Sequence, residues 1–179
     1  MNPILFALNR RRALTGIAAA LGGLAVSPRL RSQQPEMHEA PSTPANKART
    51  ALHQEIDLNA SPSRIYEILL DGKQFAAFTG MPAEIDPKVG GAFKTFGGRI
   101  EGRNVELIQG NRVVQAWRPS NWEPGVYSMV HFELAAEGAG TRLVLDHTGF
   151  PEGDYDSLYE GWPERYWNPM KKYLGLPPN

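Results

Sequence analysis

Apolar and polar residues alternate along several short stretches between residues 50 and 149, as they do in strands with one buried face. Glycine-rich turns separate the later stretches, and tight turns are predicted at Gly97-Gly98 and at residues 137–140. The pattern therefore predicts a meander of six or seven antiparallel strands. The predicted strands cover residues 51–58, 81–86, 91–96, 99–108, 111–118, 126–135 and 141–148.

Two short helices are predicted between the first and second strands. Ser61 is a suitable N-cap, and Pro62 suits the first helical position because its missing N–H has no partner there in any case. Apolar residues then recur at helical spacing to about Leu70. A second short helix is predicted over residues 71–78, ending at Gly80.

A longer helix is predicted near the C-terminus, where aromatic and apolar residues recur every four positions from Leu158 and Gly175 supplies a stop. Pro169 lies inside this pattern, where it removes a hydrogen bond and crowds the preceding turn. We therefore expect either a kink near Asn168 or two helical pieces joined at Trp162-Pro163. One aromatic-rich helix after a run of strands indicates a sheet wrapped around that helix.

The N-terminal region has a different character from the rest of the chain. Residues 1–28 resemble a twin-arginine signal peptide, because Arg10-Arg11 precedes an apolar run that is too short to span a bilayer. The alternative is a disordered N-terminus without an export role. Residues 29–49 lack aromatic residues and are rich in Pro, Gln, Ser, Ala and Thr, which predicts a disordered linker. A single domain is predicted over residues 50–176, in a bacterial protein that is periplasmic or secreted.

Charge and composition exclude several kinds of partner and site. From residue 50 onward the chain carries twelve Lys and Arg against seventeen Asp and Glu, a net charge of −5 that argues against nucleic acid as a partner. The absence of cysteine excludes disulfides and thiolate chemistry. No stretch after residue 50 is apolar enough for a transmembrane span.

Metal and catalytic motifs are also absent from the sequence. The four histidines, which are His38, His53, His131 and His147, lie far apart and form no HxH or HExxH motif. No GxSxG motif marks a nucleophilic serine. We therefore predict no metal ligand, no cofactor and no catalytic residue.

A set of short segments carries a resemblance to a known family. The segments include Ile65-Tyr66-Glu67-Ile68-Leu69, Gly90-Gly91-Ala92-Phe93, Gly97-Gly98-Arg99-Ile100-Glu101-Gly102, Arg112-Val113-Val114-Gln115-Ala116-Trp117-Arg118, Thr148-Gly149-Phe150-Pro151 and Glu160-Gly161-Trp162. Between about Leu52 and Leu174 the sequence resembles the C-terminal domain of the activators of heat-shock protein 90 ATPase, within the START-like (SRPBCC) superfamily.

This resemblance implies an α+β helix-grip fold. Such a fold has a curved antiparallel sheet of six to seven strands around a long C-terminal helix, two short helices after the first strand, and a cavity between sheet and helix. The eukaryotic co-chaperones of the family carry an additional N-terminal domain, where this chain has the predicted signal peptide and linker. The resemblance therefore supports the fold more strongly than a co-chaperone function.

The implied cavity points to a set of candidate ligand-binding residues, which are Phe96, Trp117, Tyr127, His131, His147, Trp162 and Tyr166. We expect the strands that carry Trp117, Tyr127, His131 and His147 to face the C-terminal helix. A histidine in such a cavity can bind a polar group of a ligand or exchange a proton near neutral pH. The alternative is that the aromatic residues fill the core and that each histidine bonds a neighbouring carbonyl.

Three functions follow from the resemblance. The first is a non-enzymatic exported domain that binds a small hydrophobic molecule or lipid. The second is a protein-interaction module like the activators of heat-shock protein 90, which predicted export disfavours because the chaperone would be in another compartment. The third is a cyclase- or hydrolase-type enzyme of the same superfamily, which the absence of a convergent catalytic set disfavours.

Overall fold

Seven β-strands form one curved antiparallel sheet in the computed structural model, which describes residues 49–175. The strands are β1 Ala51–Leu58, β2 Glu84–Ile85, β3 Ala92–Thr95, β4 Ile100–Ile108, β5 Arg112–Pro119, β6 Ser128–Glu137 and β7 Gly140–Thr148. Their spatial order is β1-β7-β6-β5-β4-β3-β2, so the six later strands form a meander and β1 pairs with the last of them. The predicted signal peptide and nearly all of the predicted linker lie outside the described residues.

Two short helices connect β1 to β2, as predicted. They are α1 Pro62–Leu70 and α2 Gly72–Thr79. The Ser61 hydroxyl accepts a hydrogen bond from the Arg64 N–H at 3.3 Å, and Asp71 caps the second helix by accepting from the Gln74 N–H at 2.8 Å. Gly80 ends α2 in the left-handed conformation, at φ 70°. Between these ends, α1 packs on β6 and β7, and α2 packs against the C-terminal helix.

The C-terminal helix contains a π-helical turn between its two prolines. Its parts are α3 Tyr155–Trp162, a π-helical segment Pro163–Trp167 and α4 Asn168–Tyr173. The Asn168 N–H donates to the carbonyl of Pro163, five residues earlier, and the backbone at Trp162 and Pro163 is helical. The helix therefore changes from α to π geometry at Trp162-Pro163, one of the two expected positions, while its backbone stays helical across the junction. The irregularity expected near Asn168 is present as a π turn, which widens the helix between the positions where Pro163 and Pro169 remove donors.

Gln54 on the edge strand β1 completes the hydrogen bonding of this helix. Because Pro163 has no N–H, the Tyr159 carbonyl four residues earlier lacks its α-helical donor. Gln54 Nε2 donates to that carbonyl at 2.8 Å, and Gln54 Oε1 accepts from the Trp167 indole N–H at 2.6 Å. One side chain thus joins the sheet to the helix on both sides of the proline.

One face of the sheet meets the helices and the other faces solvent. In β6 the side chains of Val130 and Phe132 are buried, whereas those of Met129 and His131 are partly exposed. The most buried core side chains are Leu58, Ile65, Ile68, Val113, Val130, Phe132, Leu134, Leu143, Leu145, Phe150, Trp162 and Met170. The α+β helix-grip class is confirmed. Within the described residues, no helix is long and apolar enough to cross a membrane.

Candidate ligand-binding site

A cavity of about 440 Å³ opens between one end of the sheet and the C-terminal helix. Its apolar lining comprises Met81, Phe96, Ile100, Trp117, Pro119, Trp122, Leu158, Trp162, Tyr166 and Pro169. Its polar lining comprises Thr79, Arg99, Asn121, Asp154, Ser157, Glu164 and Arg165. The volume lies within the range of small-molecule pockets, and an apolar wall with a few polar groups is the usual composition of such sites.

Aromatic rings from the sheet and the helix form the wall of the cavity. The Trp117 ring from β5 stacks on Trp162 with centroids 5.7 Å apart and an interplanar angle of 27°. Tyr166, one helical turn further on, lies 4.4 Å from Trp162 and 5.2 Å from Phe96. Trp122 meets Trp117 edge to face at 6.4 Å. Because each ring is held by another, the wall is rigid.

Phe96 reaches the cavity because the backbone after β3 makes an unusual turn. Phe96, Gly97 and Gly98 all adopt positive φ values, at 53°, 65° and 86°. Glycine takes this conformation at no steric cost, but a phenylalanine does so only when its surroundings hold it there. The Gly97 N–H donates to the Pro82 carbonyl at 2.8 Å, which ties the turn to the segment after α2. The Phe96 side chain is buried in the aromatic cluster.

Tyr166 presents a neutral phenol to this region. Burial raises the pKa of Tyr166 well above its ordinary value, and contacts with Trp117 and Thr95 only partly oppose that rise. The hydroxyl is therefore protonated across the physiological pH range. It is a hydrogen-bonding group of the wall and carries no charge.

His147 lies behind the aromatic wall, outside the cavity lining. Its ring contacts Trp117 at 5.2 Å and Trp162 at 5.7 Å between centroids. The Trp162 indole N–H donates to His147 Nδ1 at 3.3 Å, so the proton of the neutral ring is on Nε2, which lies 2.7 Å from the Ser128 hydroxyl. That hydroxyl donates to the Trp117 carbonyl at 3.1 Å.

This chain of hydrogen bonds satisfies every polar atom of the imidazole in its neutral form. Burial lowers the pKa of His147 to about 3. His147 therefore supports the two tryptophans of the wall from the interior, with a hydroxyl and an indole as its partners in place of the carbonyl considered as the alternative.

Tyr127 and His131 do not face the helix, contrary to expectation. Tyr127 precedes β6 and is 46% exposed. His131 lies on the outer face of the sheet, across from Val114 on one side and Asp146 on the other. Side chains alternate between the two faces of the sheet along β6, and Ser128 and Val130 occupy the buried face. His131, and Tyr127 just before the strand, therefore point to the solvent-facing side.

Several cavity residues were missed by the sequence analysis. Trp122 lies in the loop after β5, where no periodic pattern marks it, and Arg118 holds this loop by donating to the Trp122 carbonyl at 2.9 Å. The same guanidinium pairs with Glu101 and lowers the pKa of that carboxyl. The helical spacing includes Leu158 in the apolar stripe but does not indicate that it lines a cavity. Gly161 has no side chain, so it contributes nothing to the hydrophobic periodicity from which cavity residues could be predicted.

The cavity mouth carries charges of both signs. Arg99, Glu164 and Arg165 are exposed, and Asp154 at the start of α3 is half-buried with no side-chain capping bond. Within the part of the chain that the structure describes, no group of three or more His, Asp and Glu side chains is placed to hold a metal ion. The arrangement thus offers an apolar interior and a polar rim.

Comparison with known proteins matches this fold to one family. A family model described as "Activator of Hsp90 ATPase homolog 1-like protein" matches residues 59–175, which run from the loop before α1 to the end of the C-terminal helix.

The chain is also similar to individual Hsp90 activators and their homologues, both in sequence and in structure. The activator of 90 kDa heat shock protein ATPase homolog from Dictyostelium discoideum is 31% identical over 73% of this chain and 34% of its own length. The human activator homolog 1 is 24% identical over 64% of this chain and 34% of its own. This chain therefore spans about a third of the length of the curated relatives it matches. The crystal structure of an Hsp90 activator from Plasmodium falciparum superposes with a TM-score of 0.68 at 25% identity, covering 72% of this chain and 98% of that one.

Proposed function

The chain belongs to the Activator of Hsp90 ATPase homolog 1-like family, and we propose that its domain binds a small hydrophobic molecule or lipid in the cavity between sheet and C-terminal helix. The observation that carries the proposal is the cavity of about 440 Å³ with a rigid aromatic wall. Among the expected binding residues, Phe96, Trp117, Trp162 and Tyr166 line it.

The physical basis of binding is the removal of apolar surface from water. Aromatic side chains offer large flat contact areas, and because these rings are already packed against one another, little side-chain entropy is lost when a ligand enters. The charged residues at the cavity mouth remain exposed to solvent, where they can contact a polar group at one end of the ligand. No cofactor is needed for such a role.

We expect the neutral dye N-phenylnaphthylamine to bind the purified protein with a saturable rise in fluorescence at one site per chain. Leu158→Ala should weaken that binding by about threefold to tenfold, because it removes apolar contact area from the cavity lining. Leu174→Ala is the matched control, since Leu174 is also a half-buried leucine near the end of the helix but does not line the cavity. Absence of saturable binding, or equal weakening by both variants, would contradict the proposal.

A second candidate function is interaction with a chaperone of the Hsp90 class. The identity of 31% to the Dictyostelium activator homolog favours it, although the match covers only 34% of that protein. The test is the ATPase rate of a bacterial Hsp90 with and without an excess of this protein. A rate increase that saturates with added protein would support the chaperone function, and an unchanged rate would remove it.

We also propose export through the twin-arginine pathway, which is supported by the Arg10-Arg11 pair and the apolar run after it. Changing both arginines to lysine should retain the protein in the cytoplasm, because the pathway recognises the guanidinium pair. Cell fractionation and immunoblotting measure the outcome. Arg12→Lys is the control that leaves the pair intact. Normal recovery of the double variant from the periplasm would exclude this route.

A further inference from the structure

Gly161 occupies a helical position where neither the backbone nor the packing requires a glycine. It lies in α3, one residue before Trp162, and its φ is not in the left-handed region. A Cβ built at this position meets no atom within 4 Å. Glycine is among the least favourable residues inside a helix, because it loses the most conformational entropy on folding.

The other glycines in the described residues each have a structural reason. Ten of them have positive φ values. The remaining ones are so close to backbone that a side chain would collide, as at Gly102, where a Cβ would lie 2.0 Å from the Ala116 carbonyl oxygen, and at Gly140, 2.3 Å from that of Leu58. Within residues 49–175, Gly161 alone has neither reason. It also lines the cavity, beside the stacked rings of Trp117 and Trp162.

We propose that Gly161 is a specificity-determining residue of this cavity, and that its missing side chain leaves room for a multi-ring apolar ligand against the helix. The inference rests on the proposed binding function. The indole, phenyl and phenol rings of the wall offer a large apolar contact area to a multi-ring partner, since dispersion acts only between atoms in close approach. The open strip along Gly161 widens the space beside that wall and so admits a ligand that a leucine there would exclude.

A series of variants at this position tests the inference. Gly161→Ala should raise the melting temperature by a few degrees, because alanine favours the helix and meets no obstacle. Gly161→Leu should remain folded but weaken binding of the three-ring dye N-phenylnaphthylamine by more than about tenfold, since its side chain fills the space that the outer ring needs. Binding of the two-ring probe naphthol, measured by calorimetry, should weaken by less than about threefold.

Glu160→Leu is the matched control, because Glu160 is exposed on the same turn and does not line the cavity. It should bind both probes as the unchanged protein does. Equal affinity of Gly161→Leu and the unchanged protein for the dye would overturn the inference and leave the binding function standing. A lowered melting temperature of Gly161→Ala would also overturn it, because the glycine would then be structurally required. Failure of the unchanged protein to bind either probe would remove the binding function as well.

Discussion

Trp162→Ala is expected to lower the free energy of unfolding by about 3–5 kcal/mol, the usual effect of emptying a large aromatic site in a core. Trp162 is 2% exposed and stacks on Trp167 at 5.4 Å as well as on Trp117. Its indole N–H is also the donor to His147 Nδ1, so the variant leaves a buried acceptor without its partner. Both effects act in the same direction. Urea unfolding followed by far-ultraviolet circular dichroism measures the change without depending on tryptophan fluorescence.

Tyr159→Ala is the matched control for this prediction. Tyr159 lies on α3 three residues before Trp162, but its ring is 45% exposed and stacks only on Tyr155. Its loss should change the free energy of unfolding by less than about 1 kcal/mol. If Trp162→Ala also changed stability by less than about 1 kcal/mol, the helix would not present this face to the sheet, and the cavity described above would have the wrong wall.

Most elements of the fold can be predicted from local patterns in this one sequence. The predicted first strand and first helix coincide with β1 and α1, because strict alternation and a Ser-Pro cap leave few alternatives. The predicted strand at residues 81–86 shortens to Glu84–Ile85, and the Pro82 carbonyl accepts instead from the Gly97 N–H of the turn after β3. The π turn follows no sequence pattern, and the donor to the Tyr159 carbonyl is Gln54, which is more than a hundred residues away.

The site was less predictable than the fold because it depends on which strand face meets the helix. In β6 the sequence pattern itself favours Val130, Phe132 and Leu134 as the buried face, and the structure buries them while His131 faces outward. The expectation that His131 faces the helix came from the implied cavity and not from this pattern. Trp117 and Trp162 are both buried, as expected. For Trp162 the expectation rests on the apolar helical stripe that it shares with Tyr166 and Met170. Trp122 and Gly161 follow no periodicity, so no sequence pattern connects them to the cavity.

Acidification is expected to destabilise the domain through His147. The neutral imidazole fits the buried hydrogen-bond chain, and burial lowers its pKa from 6.5 to about 3, so between these values the unfolded state binds a proton that the folded state does not. Stability therefore falls as the pH falls below about 6.5. The loss should reach about 2–3 kcal/mol by about pH 4.5, because each pH unit between 6.5 and that value contributes about 1.4 kcal/mol. Urea unfolding at a series of pH values measures this slope.

Two variants separate His147 from the other histidine with a shifted pKa. His147→Gln keeps an acceptor for Trp162 and a donor for Ser128 but cannot titrate, so the slope between about pH 6.5 and 4.5 should disappear. His53 on the outer face acts in the opposite sense, because hydrogen bonds to Asp146 and Glu55 raise its pKa. Its stabilising effect is complete below pH 6.5 and is lost as the pH rises through its folded-state pKa. His53→Gln should therefore alter the pH dependence only near and above neutrality, and a slope that survives in His147→Gln but disappears in His53→Gln would contradict the buried neutral state of His147.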